Sequence, residues 1–121
     1  MKELHEIQQR FEDLPNEIET QGVKLATSKS YFKNLDENTK VILSSEMIKY
    51  GAELKTRDKK NPPEWKVRAY AYSSEVYKKH LKGLKIAEEQ YLIDQALYNK
   101  LNIEFECIRS QSSIIKSQMN I

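Results

Sequence analysis

The C-terminal third of the chain carries an apolar seam that few folds can accommodate. Leu84, Ala87, Tyr91, Asp94, Tyr98, Leu101, Phe105, Ile108, Ser112, Ile115 and Met119 follow one another in alternating steps of three and four. That spacing is the period of a helix pressed along its length against another helix. No glycine or proline follows Gly83, so nothing ends the helix early. A helix from about Ser74 to about Ser117 would be on the order of 65 Å long at 1.5 Å per residue. Such a helix cannot cover its own seam; an antiparallel long helix from the first half of the chain, or a partner chain, must do so.

The rest of the sequence agrees with an all-α fold, a long-helix hairpin or bundle, because helical spacing recurs and strand-like alternation does not. Leu4, Ile7, Phe11 and Leu14 suit a short acidic helix over 1–15 that stops at Pro15, with Asn16 capping the next. Ile18, Gly22, Leu25, Phe32 and Leu35 then keep one stripe as far as the polar run "NLDENT", where a break near Asp36 is expected. Val41, Ile42, Leu43, Met47, Tyr50 and Leu54 resume it, closing a helical first half over 16–58. Pro62 and Pro63 deny the backbone its donors, so 59–63 reads as a basic loop. Pro63 suits the first turn of a following helix, whose stripe runs through Trp65, Ala69, Tyr72 and Val76, and residues 64–121 form a helical second half of a single domain.

Composition narrows the function classes. The 121 residues give a formal net charge of +2, from 20 basic and 18 acidic side chains, but the charge is unevenly spread. Residues 1–20 hold two basic and six acidic side chains, a local −4, whereas 55–85 hold ten basic and three acidic ones, a local +7. The single cysteine, Cys107, excludes an intrachain disulfide and reads as a buried structural thiol. The charged N-terminus and the lack of any long apolar run predict a cytoplasmic protein without a membrane span.

Catalytic machinery is not legible. His5 and His80 stand far apart in the sequence, no HExxH or CxxC spacing exists for a metal, and Gly22, Gly51 and Gly83 make no phosphate loop. Carboxylates such as Glu88 with Glu89, or Glu104 with Glu106, diverge on a helix and read as solvated faces. The expectation is therefore a non-enzymatic protein with no catalytic residue, metal or cofactor.

What chemistry there is lies in "AELKTRDKKNPPEWKVRAY", which gathers Lys55, Arg57, Lys59, Lys60, Lys66 and Arg68 around the only tryptophan, Trp65. Lysine and arginine neutralise phosphates and release counterions, while Trp65, Tyr70, Tyr72 or Tyr77 could offer faces for unpaired bases. Aromatics every three or four residues are also what a helix core requires, so both readings stay open for them.

Three segments resemble the phage recombination mediator UvsY family: "VKLATSKSYFKNL", "AELKTRDKK" and "FECIRSQSSIIKSQM", in that order and at similar spacing, together spanning most of the chain. The middle segment is similar to the Leu-Lys-x-Arg core of a basic motif which that family uses on single-stranded DNA, here Leu54, Lys55 and Arg57. The match decays at Asp58, Lys59 and Lys60, where the family has a leucine, an aspartate and a tyrosine, so only Lys55 and Arg57 carry over by resemblance. The last segment, through Ile108, Arg109, Ser110, Ile115 and Lys116, is similar to the family's oligomer-forming C-terminal helix; together with the apolar seam it gives the expectation of a homo-oligomer joined through Tyr98, Leu101, Phe105, Ile108 and Ile115. The resemblance implies a recombination mediator that binds single-stranded DNA, works beside a recombinase and a single-strand-binding protein, and needs no catalytic residue. A phage or bacterial helical assembly, scaffold or inhibitor protein whose basic loop meets an acidic protein surface is the alternative expectation.

Overall fold

The computed structural model of the chain describes residues 2–119; Met1 and positions 120–121, which end the expected helical spans, lie outside it. Three helices account for nearly all of it: α1 over Lys2–Asp58, α2 over Glu64–Tyr72 and α3 over Glu75–Met119, with no strand among the described residues. The chain is all-α.

The first helix is longer than its sequence suggests. It passes through Pro15, Asn16 and Asp36 without a stop. Proline in a helix interior loses one hydrogen bond and crowds the preceding turn. Here Pro15 is exposed, while Leu14 beside it is completely buried, so packing on the inner side holds the helix across the defect. The "NLDENT" run is likewise a polar outer face, because Leu35 and Thr39, one turn apart, keep the inner side. Thr39 is tied inward by a 2.8 Å contact between its Oγ1 and Nε2 of His80.

Packing divides into two compact units, Met1–Ser28 with Gln90–Ile121, and Lys29–Glu89. In the first, the N-terminal part of α1 lies antiparallel to α3. Phe11 stacks on Phe105 with ring centroids 5.3 Å apart, and Gln21 Nε2 donates to the Asp94 carbonyl at 3.1 Å. Asp94 and Gln21 are buried, so the polar interruption in the α3 seam is satisfied within the unit. A Cβ on Gly22 would stand 3.3 Å from the Tyr98 ring, a close approach that favours glycine there. Arg10 clasps Glu104 through two hydrogen bonds, Nε to Oε1 at 2.6 Å and Nη2 to Oε2 at 2.9 Å, and also pairs with Glu17.

In the second unit Leu54, Val67, Ala71, Tyr77 and Ala87 form the buried apolar set. α1 ends at Asp58, and Lys59 turns the chain with φ 56°, the left-handed conformation that a side chain disfavours. Pro63 caps α2 with its carbonyl, which accepts from the N–H groups of Lys66 and Val67. The turn into α3 is tight: the Ser74 N–H reaches the Ala71 carbonyl at 3.2 Å, and Ser74 Oγ then accepts the Tyr77 N–H at 3.2 Å as the helix cap. Glu46 is also buried here, and its Oε2 has no hydrogen-bond partner among the described residues.

The α3 seam is inward-facing. Tyr98, Leu101, Phe105 and Ile115 are half-buried and Ile108 is buried, whereas Met119 is 74% exposed. Cys107, expected to be buried, is exposed, since it lies off the seam one residue before Ile108. The α2 stripe is corrected too. Val67 and Ala71 face inward, and Trp65, Ala69, Tyr72 and Val76 are exposed.

Two stability outcomes follow from these contacts. Lys59→Gly removes the side-chain penalty of the left-handed conformation and should stabilise the fold by about 1 kcal/mol, read as a rise of a few degrees in thermal midpoint; an unchanged or lower midpoint counts against the strain. Glu104 is held below the ordinary glutamate range by its hydrogen bonds from Arg10. A depressed folded pKa means that the pair stabilises fully above the ordinary glutamate value and ceases to do so as pH falls through the depressed one. Melting curves of the natural chain should therefore shift to lower midpoint across that acidic window, and Glu104→Gln should show a smaller shift there.

Candidate nucleic-acid interface

Charge segregates with packing. The unit over Lys29–Glu89 carries fourteen basic and nine acidic side chains, a formal +5, while the other carries six basic and nine acidic, a formal −3. A polyanion therefore meets an attractive field at the first and a repulsive one at the second.

Within the basic unit, the end of α1, the 59–63 turn and α2 supply the residues singled out from sequence. Lys55, Lys59 and Lys60 are exposed and make no ion pair among the described residues. Arg57, Lys66 and Arg68 are engaged. Asp58 accepts from Arg57 Nε at 3.1 Å on one oxygen and lies 3.5 Å from Lys66 Nζ on the other, so one carboxylate joins the end of α1 to the start of α2. Asp58 is held below the ordinary aspartate range, chiefly by the Arg57 hydrogen bond. Arg57 is correspondingly held more firmly protonated, by Asp58 first and Tyr70 second. Arg68 pairs with Glu64 one turn earlier at 3.1 Å. All three cations keep part of their surface in water.

The outer face of α2 is the feature that sequence spacing misassigned. Trp65 is 72% exposed and Tyr72 50%, and with Arg68 they occupy positions i, i+3 and i+7, one side of a nine-residue helix. The opposite side packs through Val67 and Ala71. Val67 stands near Gly51 of α1, where an added Cβ would lie 3.9 Å from Val67 Cγ1. Tyr50 and Tyr70 pack with centroids 5.7 Å apart, and Tyr72 meets buried Tyr77 edge to face at 5.3 Å. A large aromatic left in water beside cations is unusual for a packing residue and suits a stacking one.

Three of the five expected oligomer contacts, Tyr98, Phe105 and Ile108, pack inside the chain, while Leu101 and Ile115 are half-buried. Phe105 stacks on Phe11, Tyr98 lies over Gly22 and Ile108 is buried, so of the two expected covers for the seam the first half of the chain supplies the one seen at these positions. No group of three or more His, Cys, Asp or Glu side chains is placed to hold a metal among the described residues, and no described helix is long and apolar enough to cross a membrane. Comparisons with known protein families, curated proteins and solved structures find no match to this chain.

The Asp58 link gives a local outcome to measure. Asp58→Asn should loosen α2 against α1, seen as faster amide hydrogen exchange across Glu64–Tyr72 with α3 protection unchanged from Gln90 onward. Unaltered exchange in α2 would mean that Val67 and Ala71 alone hold it.

Proposed function

We propose that this protein binds single-stranded DNA without catalysing a reaction, through the end of α1, the 59–63 turn and the outer face of α2. The observation that carries the reading is the exposed Trp65, flanked on its helix face by Arg68 and Tyr72 in a unit of formal charge +5. Aromatic faces stack on bases only where bases are unpaired, and lysines and arginines follow the phosphate chain whatever its sequence. Lys55, Lys59 and Lys60 supply charge that is not already spent on a neighbour, and Arg57, Lys66 and Arg68 add donors on the sides turned away from Asp58 and Glu64.

The resemblance to the UvsY family supports the same ligand and extends it to a mediator role beside a recombinase and a single-strand-binding protein. Assembly into a homo-oligomer, also implied by that resemblance, would have to engage surface beyond the contacts that Tyr98, Phe105 and Ile108 make within the chain.

The test is polarisation of labelled oligo-dT at rising salt. Binding should weaken linearly with log salt, and replacing Lys55, Arg57, Lys59 and Lys60 by Ala should lower the slope by about 0.7 for each phosphate no longer neutralised. Trp65→Ala should cost about 1–3 kcal/mol of affinity with helix content intact. Undiminished affinity in both variants removes this surface from the DNA site, and no binding by the natural chain at low salt favours an acidic protein surface as the partner.

A further inference from the structure

The basic side chains of the second unit do not end with α2. Lys78, Lys79, Lys82 and Lys85 stand on the first three turns of α3, all exposed and without an ion pair among the described residues. Glu75, Val76, Lys78, Lys79 and Lys82 line an open surface depression there. The two-residue turn at Ser73 and Ser74 and the edge-to-face contact of Tyr72 with Tyr77 bring this stretch directly against α2. Four ammonium groups within three turns repel one another. Glu75 before them and Glu88 and Glu89 one turn beyond Lys85 are the carboxylates nearest along the helix, and none of these is in an ion pair with them among the described residues, so a polyanion adds counter-charge that the fold does not.

We infer that the start of α3 is a second phosphate-contacting stretch, over which a single strand continues after leaving the Trp65 face. This rests on the proposed single-strand binding and adds the course of the strand. Glu75 to Lys85 covers about 15 Å of helix at 1.5 Å per residue, room for only a few consecutive phosphates of a single strand. Val76 and Ile86, 53% and 67% exposed, give apolar surface beside the lysines for base or sugar contact. The lysines hold the phosphates by charge alone and impose no sequence preference. Glu75 opposes them: it serves the N-terminal end of the α3 dipole but repels phosphate at the mouth of the depression.

Polarisation with oligo-dT of about 6 and about 18 nucleotides, lengths that bracket a short and an extended site, tests this on the full chain. Lys79→Ala with Lys82→Ala should weaken binding of the longer oligonucleotide and lower its salt slope by about 1.4, while the shorter one, held at the Trp65 face, binds as before. Glu75→Gln should tighten the longer one, a gain that misfolding cannot mimic, and circular dichroism checks helix content in each variant. If the natural chain binds and both variants match it at both lengths, the α3 stretch is not part of the path. Equal weakening at both lengths also overturns it, since the stretch would then be no separate continuation. If the natural chain binds neither length, this inference falls together with the single-strand reading.

Discussion

Helices of 57 and 45 residues depend on covering an apolar seam, because isolated helices in water gain little from propensity alone. In the Met1–Ser28 and Gln90–Ile121 unit the cover is mutual. Phe11 and Arg10 of α1 meet Phe105 and Glu104 of α3 through a ring stack and a two-bond clasp, and Leu14, within about one turn of them, is completely buried. That concentration of packing is why Pro15 does not end α1. A missing backbone hydrogen bond and a steric clash cost on the order of 3 kcal/mol, which burial of Leu14 and its neighbours offsets at about 2 kcal/mol per large side chain.

The same cover decides what surface remains for other molecules. With Phe105 stacked on α1 and Ile108 buried, α3 presents an outer face of mixed character, and the exposed charge it offers another molecule is densest at its basic start. The proposed binding therefore depends on charge placement. The acidic side chains divide equally between the units, nine in each, while fourteen of the twenty basic ones fall in one, so a net charge of only +2 conceals a unit of formal +5.

Much of the architecture was legible in the sequence. The heptad spacing from Leu84 pointed to one long helix from about Ser74 to about Ser117, where α3 spans Glu75–Met119, and Pro62 with Pro63 marked the turn between α1 and α2. Pro15 and the "NLDENT" run misled because they are local signals, and tertiary packing on the opposite side of the helix outweighed them. The α2 face was ambiguous for a different reason. Nine residues make only two and a half turns, and both Trp65, Ala69, Tyr72 and Val67, Ala71 satisfy helical spacing. Packing selects the smaller pair: Val67, which lies near Gly51 of α1, and Ala71 are buried, and Trp65 is left in water. Nothing local to α2 records that choice.

The candidate site was legible as a segment but not as a set of available charges. Counting Lys55, Arg57, Lys59, Lys60, Lys66 and Arg68 treats six cations as equivalent, yet Asp58 and Glu64 engage half of them. Exposed pairs of this kind stabilise little, so they do not withdraw a guanidinium from a phosphate that offers two acceptors and a full charge. They do fix where it points. Asp58, the residue at which the resemblance to the mediator motif decays, thus orders Arg57 and Lys66 at the cost of one negative charge amid the cations. The lysines on either side, Lys55, Lys59 and Lys60 before α2 and Lys78 to Lys85 after it, have no such anchor. Flexible, fully hydrated ammonium groups flanking a fixed arginine and tryptophan platform suit a ligand held by charge over its length and by stacking at one place.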